Sequence, residues 1–194
     1  MVKKIFFFYF IINLFNYLYA NPYKIIVTVN NNPITQIDLD YEIKILSILN
    51  NSKSISKQQV NFALNNLIEE SIKKKEISNE KLKINDSLIN NHFLQISKNL
   101  NLNLNSVDQN LTHLIKEKIK IDKLWNDLII KKYGWKISIN MKEIDQKIKE
   151  KYKENYSNQI KDNLILEEKN KKLGVFSRYH LNKLKEQSLI KFYK

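Results

Sequence analysis

Three histidines, His92, His113 and His180, are the only imidazoles in the 194-residue chain, and imidazole is the side chain best suited to exchange protons near neutral pH. None stands at a spacing that suggests a metal site or a nucleophile with its base. His92 and His113 fall among helix-forming residues beside apolar neighbours and read as ordinary helix-surface residues. The carboxylate pairs Glu69 with Glu70 and Glu167 with Glu168 are adjacent in sequence, so on helices their side chains diverge, and ion pairs or a solvated face account for them. Cysteine is absent and glycine occurs twice, which removes thiol chemistry, disulfides and a glycine-rich phosphate loop. No catalytic, cofactor-binding or metal-binding residue is assigned, and the chain is not expected to be an enzyme. What remains is non-covalent binding, in which aromatic rings accept extended chains without strict sequence. The candidates are Phe93, Trp125, Tyr133, Trp135, Phe176 and Tyr179. Phe93 and Trp125 lie on helical apolar stripes, where filling the core is the favoured role. Tyr133 and Trp135 flank a helix end, where partial exposure is expected.

These residues must be positioned by helices, because two glycines and two prolines leave too few turn-formers for a many-stranded fold. A mainly α chain follows. Lys24 to Val29 is β-branched and apolar and predicts a strand, and Asn30-Asn-Asn-Pro33 predicts a turn. Thr35 and Asp38 stand in capping-box spacing and start a helix near Gln36, with Leu39, Ile43, Leu46 and Leu49 on its apolar side. Ser56 and Gln59 repeat the signal ahead of Val60, Ala63, Leu64, Leu67, Ile68 and Ile72. On the back of that helix, Glu69, Glu70 and Lys73 to Lys75 read as a solvated face. A third helix is expected from Asp86, with Leu88, Ile89, Phe93, Ile96 and Leu100 as its stripe. A fourth, capped by Ser106 and Gln109, runs through Trp125 and Leu128 to a C-terminal cap at Gly134. Lys136 to Ile139 reads as an extended link, and Asn140 with Glu143 caps the next helix. Residues 153–162 form the expected linker, Leu164 to Gln187 a last helix weakened at Gly174, and Leu189 to Tyr193 a terminal strand.

The first twenty residues carry a secretory signal. Lys3 and Lys4 precede the apolar run Ile5 to Leu18, and cleavage is expected between Ala20 and Asn21. The rival reading is a retained anchor, but the run is shorter than the roughly 20 residues a membrane-spanning helix needs, and Asn13 and Asn16 interrupt it. A periplasmic location is the simplest expectation. The formal net charge is +13, yet Arg178 is the single arginine, and arginine is the side chain that bidentate phosphate and guanine contacts favour. A nucleic-acid partner is therefore not expected. Anionic lipid surfaces or acidic, unfolded polypeptides suit an exported basic chain better.

Taken in order, these motifs resemble a known family. The strand followed by Val29-Asn-Asn-Asn-Pro-Ile-Thr35 and Asp38 is similar to the opening of SurA-type periplasmic chaperones. Ala63-Leu-Asn-Asn-Leu-Ile-Glu-Glu70, Ile84-Asn-Asp86 and Trp125-Asn-Asp-Leu-Ile-Ile-Lys-Lys-Tyr133 with Ile139 to Asp145 resemble later parts of the same N-terminal domain. The resemblance spans Ile25 to Lys151 and implies a single chaperone core over residues 21–194. Residues 21–152 would be its helical part, and residues 163–194 a closing helix and strand that pairs with Ile25 to Val29. It further implies an ATP-independent holdase for unfolded exported polypeptides, outer-membrane precursors foremost, working near the outer-membrane assembly machinery or an anionic membrane surface. The parvulin-type prolyl isomerase domain usual in that family would need on the order of 90 residues, and the expected linker leaves no room for it. The alternatives are a divergent peptidyl-prolyl isomerase relative and a basic scaffold on a membrane surface.

Overall fold

The computed structural model describes residues 23–49, 56–100, 108–152 and 157–193. The expected signal and its cleavage point between Ala20 and Asn21 lie outside the described residues, as do Ser106 and most of the asparagine-rich run near residue 103. Among the described residues, six α-helices and a three-stranded antiparallel sheet make a mainly α fold.

The chain enters through β1 (Ile25–Val29), turns, and returns as β2 (Asn32–Thr35). Asn30 and Asn31 have φ of 50° and 71°. Asparagine tolerates this left-handed region better than other side-chain-bearing residues, and a two-residue loop of this kind suits the twist of a hairpin. The expected four-residue turn is thus only two residues long, and Pro33 belongs to a strand. β3 (Ile190–Phe192) pairs antiparallel with β1 on its other side, so the strand order is β2-β1-β3 and the two ends of the described chain meet, as expected.

Helix α1 (Gln36–Leu49) starts at the expected capping box: the Thr35 N–H donates to Asp38 Oδ2 at 2.8 Å, and the Asp38 N–H donates to Thr35 Oγ1 at 3.4 Å. Helix α2 (Lys57–Asn79) begins with the full Ser56–Gln59 box. Asn85 caps α3 (Asp86–Asn99) and Asp108 caps α4 (Gln109–Tyr133). On α3 the buried residues Ile89, Phe93 and Ser97 repeat every four positions, which turns Leu88 out to 54% exposure against the expected stripe. Gly134 follows α4 with helical φ and ψ and opens a 3₁₀ turn over Gly134–Lys136, so it ends the helix without a left-handed cap.

Helix α5 (Met141–Tyr152) leads to α6 (Asn158–Glu186), which begins earlier than expected and takes up the second half of the expected linker. Half-buried Ile160 and Leu164 keep the apolar period there, and Lys161 reaches back to Asp145 at 2.8 Å. Gly174 does not interrupt α6, because twenty-nine residues of backbone pairing and the packing of Leu173 and Leu181 outweigh about 1 kcal/mol of glycine cost.

Two apolar clusters share α4. One joins Val27, Val29 and Ile34 of the sheet to Ile68 and Ile72 of α2, Trp125 and Leu128 of α4, and Leu173 and Leu181 of α6. The other joins Ile45 of α1, Ile89 and Phe93 of α3, and Leu111, Ile115 and Ile119 of α4. Burial of such side chains is the main stabilising term, at roughly 1.5–3 kcal/mol each.

Candidate binding cleft

Between the two clusters, residues of β2, α1, α2 and α4 line a cleft of about 680 Å³. Its apolar lining includes Ile34, Tyr41, Ile45, Leu67 and Leu114, and its polar rim includes Asp38, Lys74, Lys75, His113 and Glu117. An apolar concavity with convergent polar groups is the usual form of a binding site.

One ion cluster sits in the cleft wall. Lys118 of α4 places its Nζ 2.7 Å from Glu42 Oε2 of α1 and 2.5 Å from Glu70 Oε2 of α2. Glu42 is 2% exposed and also accepts from Asn66 Nδ2 at 3.2 Å, while Glu70 is shared with Lys74 at 2.8 Å. Burial works to raise the Glu70 pKa, but the charges and hydrogen bonds of Lys118 and Lys74 outweigh it and hold the carboxyl below its ordinary value. Burial likewise works to lower the Lys118 pKa, and Glu70 and Glu42 outweigh it and raise the pKa. Both groups therefore stay charged at neutral pH and act as fixed anchors, not as a proton-exchanging pair. A smaller cavity of about 250 Å³ lies behind the cluster and shares Glu42, Ile45, Glu70 and Lys118 with the cleft.

The six aromatic candidates lie elsewhere. Phe93 is 5% exposed within the α1–α3–α4 core, and Trp125 is 4% exposed with its Nε1–H donating to Ser177 Oγ at 2.8 Å. Both fill the core, the role their stripe positions favoured. Tyr133 stacks on Phe176 with ring centroids 5.1 Å apart and meets His180 Nδ1 through its hydroxyl at 2.9 Å. His180 in turn approaches Glu76 Oε1 with its Nε2 at 3.2 Å and lies beside Trp125. Trp125, Tyr133, Phe176 and buried His180 thus form one internal network between α2, α4 and α6. Trp135 and Tyr179 are on the surface, 79% and 59% exposed.

None of the six lines the cleft. The residues that do, Glu42 and Lys118 above all, were missed by sequence reasoning, and Glu70 was assigned to a solvated face. A signal existed on α1: Leu39, Glu42 and Ile45 recur every three residues, so a carboxylate stands in a buried stripe. Among the described residues no group of three or more metal-ligating side chains stands together, and no helix is long and apolar enough to cross a membrane. A scan against protein-family models finds no match, and a search of curated proteins finds no relative.

Proposed function

We propose that this chain is an ATP-independent holdase that binds unfolded exported polypeptides, outer-membrane β-barrel precursors in particular, in the periplasm. The cleft between α1, α2 and α4 carries this reading: about 680 Å³ of open, partly apolar space with a charged rim suits side chains of varied identity on an extended chain. The resemblance to SurA-type chaperones supports it as well. That resemblance implied a closing strand paired with the first one, and β3 does pair with β1. The positive net charge attracts acidic, unfolded clients over long range. Trp135 and Tyr179 offer exposed rings for a second contact outside the cleft.

The test is aggregation of a urea-unfolded β-barrel precursor on dilution, followed by light scattering without nucleotide. Suppression at a stoichiometric excess of this protein is the expected result, weakened about tenfold by a charge in the cleft, as in Leu114→Glu. Unchanged aggregation kinetics would sink the proposal, and circular dichroism checks that the variant is folded.

A further inference from the structure

The two edges of the small sheet are not equivalent. In the β1–β2 hairpin Val29 and Asn32 close a two-residue loop, so the next pair, Thr28 with Pro33, is the one that exchanges no backbone hydrogen bonds. Pro33 therefore faces its nitrogen outward and has no N–H to offer. A proline in that position blocks the outer edge of β2.

β3 is open. The Asn30 N–H donates to the Leu189 carbonyl at 2.8 Å and the Tyr193 N–H to the Ile26 carbonyl at 2.9 Å. With Thr28 opposite Lys191, these bonds fix which residues of β3 turn toward β1. Ile190 and Phe192 alternate with them, so their N–H and C=O groups point to the free side. No described strand lies there. Opposite buried Val29 and Val27, Ile190 and Phe192 carry their side chains on the core-facing side of the sheet, yet Phe192 is 68% exposed. Lys191 faces the other way and is exposed.

We propose that the outer edge of β3 is a strand-addition site for an extended polypeptide segment that is apolar opposite Ile190 and Phe192 and acidic opposite Lys191. An added strand would satisfy the outward backbone groups and cover the Phe192 ring. Charge selects the occupant. A second copy of this chain, in the register that uses both outward-facing residues, would set Lys191 directly against Lys191, which disfavours it. The alternating pattern demanded is that of an amphipathic strand, the form that β-barrel precursors contain. The inference rests on the holdase reading and names one way in which a client is held.

The experiment is amide hydrogen exchange on the unaltered chain, with and without a short synthetic peptide that alternates valine or tyrosine with threonine around one central glutamate. Protection of the Ile190 and Phe192 amides is expected to rise about tenfold or more at saturation. Phe192→Pro, which removes an outward N–H and leaves the bonds of Lys191 and Tyr193 to β1, should weaken the peptide about tenfold, as should a central lysine in the peptide. Client aggregation that is suppressed without any protection at these amides overturns the edge site and leaves the holdase reading standing. Protection by the peptide with no suppression of aggregation does the reverse, and neither effect removes both. Protection that grows with protein concentration alone makes a second copy the occupant and overturns the proposal.

Discussion

Lys118 is the residue on which the cleft wall depends, because removing it leaves Glu42 buried with Asn66 as its remaining polar neighbour. Lys118→Met is predicted to cost about 3 kcal/mol in urea unfolding, the usual penalty of stranding a buried charge. The pair Glu42→Leu with Lys118→Met should recover most of that loss, since Glu70 keeps Lys74. A second prediction concerns pH. Glu70 and Glu76 have folded pKa values lowered from 4.5, and the Lys132 and Lys131 ammonium groups lower that of Glu80 to about 2. Their stabilising contribution is complete above about 4.5 and is lost as pH falls through the folded values. For Lys118 and Lys132 the folded pKa values are raised above 10.5, so their contribution is complete below that value and is lost as pH rises through the folded ones. Urea midpoints should therefore hold between pH 6 and 9, fall toward pH 3 and fall again above about pH 11. Little of this was legible beforehand. Glu42, Glu70 and Lys118 come from three helices, and sequence spacing along one helix says nothing of a partner on the next.

At the level of elements, local chemistry was legible where it is local. The Thr35–Asp38 and Ser56–Gln59 boxes each satisfy their own helix start within four residues, and both form as expected. Ser56→Ala is predicted to cost about 1 kcal/mol, read as a lower thermal midpoint. Gly174→Ala is predicted to add about 1 kcal/mol, because a Cβ there would meet nothing closer than Arg178 at 4.0 Å and the backbone is already helical. Errors arose where tertiary packing decides. Leu88 is apolar but stays outside the buried stripe of Ile89, Phe93 and Ser97, and α6 reaches back to Asn158 because Ile160 and Leu164 meet partly buried surroundings. β2 escaped notice because its asparagine and proline are turn-formers, yet an edge position accepts both.

Across the whole molecule, β3 is tied to β1 over more than 150 residues of sequence, since Leu189 and Asn30 are linked through both backbone and side chain. Truncation after Gln187 is predicted to cost about 2 kcal/mol and to lower the thermal midpoint, because it strips the ladder from β1 and uncovers the core beside Val27 and Val29. This long-range closure was foreseen through the resemblance to SurA-type chaperones, which implied the pairing, whereas periodicity alone predicted only a terminal strand. The cleft that β2, α1, α2 and α4 line could not be read in advance, since it depends on how these elements pack together. Its proposed occupant is an unfolded chain. The most direct measurement places a photo-crosslinking side chain at Leu114 and supplies one β-barrel precursor, once unfolded and once folded. Capture of the unfolded chain alone, competed away by a second unfolded client, is the expected result. Equal capture of both forms, or none of either, contradicts it.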